Sequence, residues 1–405
     1  MPAVFTKEMK HTHTILLPDM LPVHFGLIQT VFALNGYKTE LLTKSDRAVV
    51  DEGLQHVHND TCYPALLVIG QFIDALKSGR FNPDKIAVMI SQTGGGCRAS
   101  NYLHLLRKAL ETEFPQIPVL SINFSGLERD SGFKITPKMF IQMLYCVLYG
   151  DILMNVRNHT RTYEIHKGDT DSKLHKWVIL IERALKSGHY KDTKRYYNAI
   201  LEDFAKIPLK NEKKPKVGIV GEIYVKYSPL ANNHLEDFLI SEGAEPIVPA
   251  FLDFCMYCAV NTVNDGIIYN FTDSKTIIFK AAYLFLLRKQ REMIRVIKQH
   301  GQFEVPHDFE ELRSNADKYF HQGVKMGEGW LIPAETAALM EHGVPNVVLT
   351  QPFGCLPNHI VAKGMMRTIR ENYPEANVVA VDYDPGATKV NLENRIKLML
   401  ANIRN

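Results

Sequence analysis

Cysteine is scarce, with six residues in a chain of 405. That is too few, in too long a chain, for a disulfide scaffold. An excess of one charge is also lacking. Lys and Arg number 47 against 44 Asp and Glu, for a net charge of +3. This argues against a dedicated DNA-binding surface and leaves room only for a local basic patch. Long apolar runs are missing too. The start, MPAVFTKEMKHTHT, does not read as the apolar stretch of a signal peptide. Ala281–Leu287 is short, and Met139–Met154 is interrupted by Gln142, Gly150 and Asp151. Neither reaches the roughly 20 residues that span a bilayer. A cytoplasmic location is expected, where thiols stay reduced. With 46% apolar and 22% charged residues, the composition excludes a disordered, collagenous or low-complexity chain.

Strand and helix signals alternate through two stretches. The first holds strands at His13–Leu17, Lys38–Leu42, Lys85–Ile90 and Pro118–Ile122, with helices expected near His24–Asn35, from Tyr63, and over Ala99–Glu113. The second opens at Lys216–Val220 and continues with a helix around Asn233–Ser241 and a strand at Glu245–Val248. It ends with strands at Asn346–Leu349 and Asn377–Val381, a helix over Asn358–Asn372 and a terminal helix over Val390–Ile403. Between them, Thr136–Ile207 shows helical spacing, many Lys and Arg, and no strand. The polar run Leu209–Pro215 marks a boundary. The fold class expected is α/β: two Rossmann-like parallel-sheet domains, residues 1–135 and 211–405, with a helical insert over 136–210. No sequence repeat relates the halves.

Three cysteines occupy one kind of position. Cys62 precedes a helix start at Tyr63–Pro64. Cys97 ends the turn SQTGGGCR after a strand, and Cys355 lies in QPFGCLPNH between a strand and a helix. Ligands in open α/β sheets bind at that edge. Helix N-termini lower thiol pKa values and favour anionic groups. Gly96, with Gly94 and Gly95, and Gly354 permit close backbone approach to a bulky cofactor. Three readings stay open: inert core thiols, a zinc site of Cys62, Cys97, Cys355 and His359, or an iron–sulfur cluster with three cysteine ligands and one open iron. Cys146 reads as core. Cys255 and Cys258 form a C-x2-C in an apolar helical context and also read as core packing.

The segments around these cysteines carry a resemblance. LLPDMLPVHFGLIQTVFALNGYKTELL, DTCYPALLVIGQFIDAL, TGGGCR, KVGIVGEIYVKYSPLANNHLEDFL and VVLTQPFGCLPNHIVAKGMM resemble, in order, the 2-hydroxyacyl-CoA dehydratase superfamily. Within it the chain is most similar to the C-terminal region of the long CoA-substrate-specific enzyme activases. The likeness covers most of the chain. It implies a [4Fe-4S] cluster held by Cys62, Cys97 and Cys355, either alone or as half of a double cubane. It also implies low-potential electrons from an ATP-hydrolysing iron–sulfur activator, and reduction of a small molecule or an acyl-CoA-type substrate in an anaerobic setting. The chain has no ATPase module, so the activator is expected to be separate. A related subunit or a second copy would supply the other half. The alternative role is a non-catalytic electron-transfer or scaffold subunit. No nucleic-acid or membrane partner is expected.

Further residues are candidates beside that site. Glu222 follows a strand, and His359 lies four residues past Cys355; each is a candidate proton donor. Arg98 is placed to neutralise cofactor charge, and an ordinary ion pair is its plainer role. Asn232 and Asn233 are expected to cap a helix. Glu328 and Trp330 read as structural, with Trp330 a candidate wall. Asp382 and Asp384 read as turn caps. The basic stretch Lys173–Arg195 reads as a solvated face, with docking of an acidic activator its lesser reading. GIVGE does not match the dinucleotide fingerprint.

Overall fold

The computed structural model describes residues 3–58, 60–92, 96–123 and 132–403. Gly94 and Gly95 lie outside the described residues. The first half forms a four-stranded parallel sheet of β1 (Thr14–Pro18), β2 (Lys38–Leu42), β3 (Ile86–Gln92) and β4 (Val119–Asn123), in the order β2-β1-β3-β4. The second half forms another from β5 (Lys216–Gly221), β6 (Glu245–Ile247), β7 (Asn346–Pro352) and β8 (Asn377–Tyr383), in the order β6-β5-β7-β8. The two orders are the same, although the sequences show no repeat. The α/β class with two Rossmann-like parallel sheets is therefore observed. Parallel strands covered on both faces need continuous apolar runs, and every residue of β7 is buried.

This strand order fixes where ligands go. The chain leaves β1 for one side of the sheet and later returns to the other side with β3. The crevice beyond the carboxyl ends of β1 and β3 is thus a topological switch point, and so is that of β5 and β7.

The segment 136–210 is helical as expected: Pro137–Tyr163, Asp169–Ser187 and Thr193–Phe204. Thr136 caps the first of these, its hydroxyl accepting from the Met139 amide at 3.2 Å, and Pro137 sits at the first helical position. The insert does not stand alone. Phe251–Ile268 and Ser274–His300, from the second half, join it in one apolar cluster with Tyr149, Ile181, Tyr197, Leu286 and Met293. Pro137–Tyr163 is the one described helix long and apolar enough to cross a membrane, but 72% of its apolar window is buried inside the protein.

One local reading is corrected. The expected Asn358–Asn372 helix is broken into a π turn (Asn358–Ala362), a 3-10 turn (Lys363–Met365) and a short α-helix (Met366–Asn372). Gly364 is a poor helix former within it, and π turns cluster at functional sites. Helices at Arg47–His56, Phe309–Asp317 and Leu331–Glu341 carry weaker sequence signals and are present as well.

Candidate functional site

Each switch point presents one acid and one cysteine. Beyond β1 comes Asp19, and beyond β3 comes Cys97. Beyond β5 comes Glu222, and beyond β7 comes Cys355. Cys62 takes the N-cap position of the Tyr63–Lys77 helix, and Cys97 that of the Arg98–Asn101 turn. The two halves meet here. The Tyr63 amide donates to the Phe353 carbonyl at 3.0 Å, which ties the residue after Cys62 to the strand end before Cys355. Gly354 lies between them at φ +73°, and a Cβ on it would sit 3.1 Å from Arg98 Nη1 and 3.2 Å from Cys62 Cα. Only glycine fits without strain.

Cys62 and Cys355 are buried, Cys97 is partly buried, and no disulfide forms among them. Cys62 Sγ lies 2.6 Å from the Tyr102 hydroxyl, and Asn358 Nδ2 donates to Cys355 Sγ at 3.1 Å. Burial pushes the Cys62 thiol up to about 11, with the charges of Glu222 and Cys97 adding to the rise. Burial likewise raises Cys355, reinforced by Glu328 and Glu222. Burial raises Tyr102 too, and there the charges of Cys62, Glu222 and Cys355 all act together. The thiols thus share one electrostatic neighbourhood. None of the causes that shift Cys62 or Cys355 is a cation. That setting does not suit a nucleophilic thiolate, which needs a lowered pKa. It does suit thiols that ionise when a metal brings the positive charge.

Two carboxyls lie beside the same thiols. Glu222 caps the Ile223–Tyr227 helix, accepting from the Val225 amide at 2.8 Å. Glu328 is buried and accepts from the Ile223 amide at 2.9 Å. Burial and the facing charge of Glu328 raise the pKa of Glu222, and burial raises that of Glu328. Glu222, taken up to about 8, holds a proton near neutral pH and can donate it. Asp19 is a third raised acid. It is buried, its Oδ1 lacks a hydrogen-bond partner, and burial alone takes its pKa to about 7.

The remaining candidates divide. Arg98 reaches across the junction to the Asp60 carbonyl at 2.5 Å. Gly96 is exposed, and a Cβ there would meet the Met326 side chain at 3.1 Å. His359 is exposed, and its buried neighbour Asn358 holds the sulfur of Cys355 instead. Asn232 does cap a helix, accepting from the Leu235 amide at 3.1 Å, whereas Asn233 is a left-handed C-cap residue. Trp330 is fully buried and donates to Asn261 at 3.0 Å, a core role. Asp384 caps its turn through the Gly386 amide at 2.7 Å. Lys173 and Lys176 both pair with Asp203, so part of the basic stretch is internally neutralised. Cys146 is in the core and Cys255 packs against it, but Cys258 is exposed, which corrects the core reading for Cys258 alone. Their helix turns one edge to solvent.

Sequence reasoning missed Tyr102, Asn358 and Asp19, and read Glu328 as structural. A mononuclear zinc site needs sulfurs about 3.8 Å apart. Among the described residues the one group of three ligand atoms within 4.8 Å of one another is His307, Glu311 and His342. The three thiols are therefore more widely set than zinc requires, and His359 faces solvent. A polynuclear iron–sulfur group spans a wider gap, and the thiol donors are of the right chemical type for it. No protein-family model matches the chain, and no curated protein matches it.

Proposed function

We propose that the cleft between the two sheets holds an iron–sulfur cluster on Cys62, Cys97 and Cys355, and that the protein is the electron-accepting component of an ATP-dependent reductase or dehydratase-like system. The observation that carries this reading is the placement of three thiols: Cys97 and Cys355 beyond the carboxyl ends of β3 and β7, and Cys62 at the start of the Tyr63–Lys77 helix, tied to the end of β7. Two of them are buried and no cation lowers their pKa, beside a glycine cradle at Gly354. When bound, such a cluster supplies single electrons at low potential.

The chain's own residues supply the rest. Asn358 donates to the sulfur of Cys355, and with a cluster bound the Tyr102 hydroxyl would donate to that of Cys62, which orients the ligands and stabilises their charge. Glu222 holds a proton beside the thiols, raised by burial and by the facing Glu328, and can deliver it to a substrate that gains electrons. Burial of Cys62 and Cys355 keeps water from the centre. The substrate would be a small molecule or an activated acyl group. Electrons would come from a separate ATP-hydrolysing iron–sulfur activator, in the reducing cytoplasm.

A second reading, an electron-transfer or scaffold subunit, draws on the rim. Phe353, Leu356 and Ile360 next to Cys355, and Met326 over Gly96, are exposed apolar side chains. Such a rim fits a related subunit or a second copy closing over the site. Anaerobic reconstitution followed by chemical reduction should give a paramagnetic iron–sulfur signal. Added acetylene or acyl-CoA should then discharge that signal if this chain is catalytic. A signal that persists until a partner chain is added supports the subunit role, and a protein that takes up no iron contradicts both readings.

A further inference from the structure

We propose that His307, Glu311 and His342 form a binding site for one divalent transition-metal ion of the zinc class, separate from the cysteine cleft. Their ligand atoms lie within 4.8 Å of one another. Two imidazoles and one carboxylate are a donor set that zinc and its neighbours prefer over magnesium or calcium.

Three observations converge on it. His307 sits just before the Phe309–Asp317 helix, and Glu311 lies in the first turn of that helix. His342 ends the Leu331–Glu341 helix, so the group joins the start of one helix to the end of another. His307 is 9% exposed, and its buried Nδ1 has no hydrogen-bond partner, a costly state for a polar atom that a ligand would relieve. The His342 ring is already oriented. Its Nδ1 lies 2.9 Å from the Ala338 carbonyl, and a carbonyl only accepts, so Nδ1 is the donor there and Nε2 is the nitrogen left to ligate. Metal-binding histidines are commonly held by such a bond on the other nitrogen.

The two imidazoles pack at 4.3 Å between ring centroids. Both histidines also line a small cleft of about 40 Å³ together with Asp151, Asn155, Asp253 and Glu304. Three protein ligands leave a fourth position, and the cleft gives water or a small oxygen ligand access to it.

The test uses the full-length protein, stripped of metal, loaded with Zn2+ and freed of excess. His342→Ala and Glu311→Gln change partly exposed side chains, and their melting without zinc should match the wild type. Each should lose about one zinc per chain relative to the wild type. Cys62→Ser, Cys97→Ser and Cys355→Ser should keep that zinc. With Co2+ in place of Zn2+, the absorption that His342→Ala removes should contain ligand-field bands without a sulfur-to-metal charge-transfer band. Zinc should raise the melting temperature of the wild type more than that of His342→Ala. The proposal is overturned if His342→Ala and Glu311→Gln retain as much zinc as the wild type, or if the absorption they lose carries the sulfur band.

Discussion

The hydroxyl of Tyr102 lies 2.6 Å from Sγ of Cys62, a contact between the first turn of one helix and the N-cap of another. A thiolate ligand can only accept, so with a cluster bound the phenol must be the donor. Tyr102→Phe removes that donor and leaves the reduced, more negative state less stabilised. The reduction potential should then fall by roughly tens of millivolts, with iron content near wild type, as read by a redox titration. An unchanged potential would separate Tyr102 from the centre.

Gly354→Ala should damage the same junction from the backbone side. The left-handed φ costs an alanine about 1–2 kcal/mol, and the new methyl would press on Arg98 and on the backbone of Cys62. Chemical denaturation should show a loss of that size or more, and reconstitution should give less iron than the wild type. Gly243→Ala has a similar φ and nothing within 4 Å, so it should lose stability without losing iron.

Asp19 makes the protein's stability depend on pH. Its carboxyl titrates near 3.8 when unfolded and near 7 in the folded protein, because burial disfavours the anion. Between those values the folded state holds a proton that the unfolded state has lost. Asp19 therefore costs the fold nothing below about pH 4, and stability falls as pH rises through 7. Asp19→Asn should flatten that slope and stabilise the protein above pH 7, by up to roughly 4 kcal/mol. Urea denaturation at pH 5 and pH 8 would show it.

Lys226 and Glu335 form a buried pair at 2.9 Å, each side chain 1% exposed. Removing one partner leaves an uncompensated charge, so Glu335→Ala should cost about 3–5 kcal/mol. The double replacement Lys226→Met with Glu335→Leu should recover much of that loss, as measured by the denaturation midpoint.

The sheets were legible because parallel strands need apolar runs, and β2 and β5 begin where their patterns begin. Cys97 and Cys355 were legible because strand–turn–helix junctions mark the ligand edge of such sheets, and Cys62 because it precedes a helix start marked by Pro64. Tyr102 and Asn358 were not, since each reads as an ordinary helix residue until the fold brings it to a sulfur. Glu328 sits in a loop more than 100 residues from Glu222, and only the tertiary fold brings the two carboxyls together. Cys258 was misread because an apolar helix can still turn one edge to solvent. His307 and His342 are 35 positions apart in sequence, with no ligand spacing to announce them.

The central claim is that Cys62, Cys97 and Cys355 together hold an iron–sulfur cluster. Its most direct test is an iron and acid-labile sulfide count on anaerobically reconstituted protein, wild type beside Cys355→Ser and Cys258→Ser. Iron and sulfide should be present in equal amounts, about four of each per chain, in the wild type and in Cys258→Ser. Cys355→Ser should lose most of both. Absence of iron from the wild type, or full retention in Cys355→Ser, would contradict the claim.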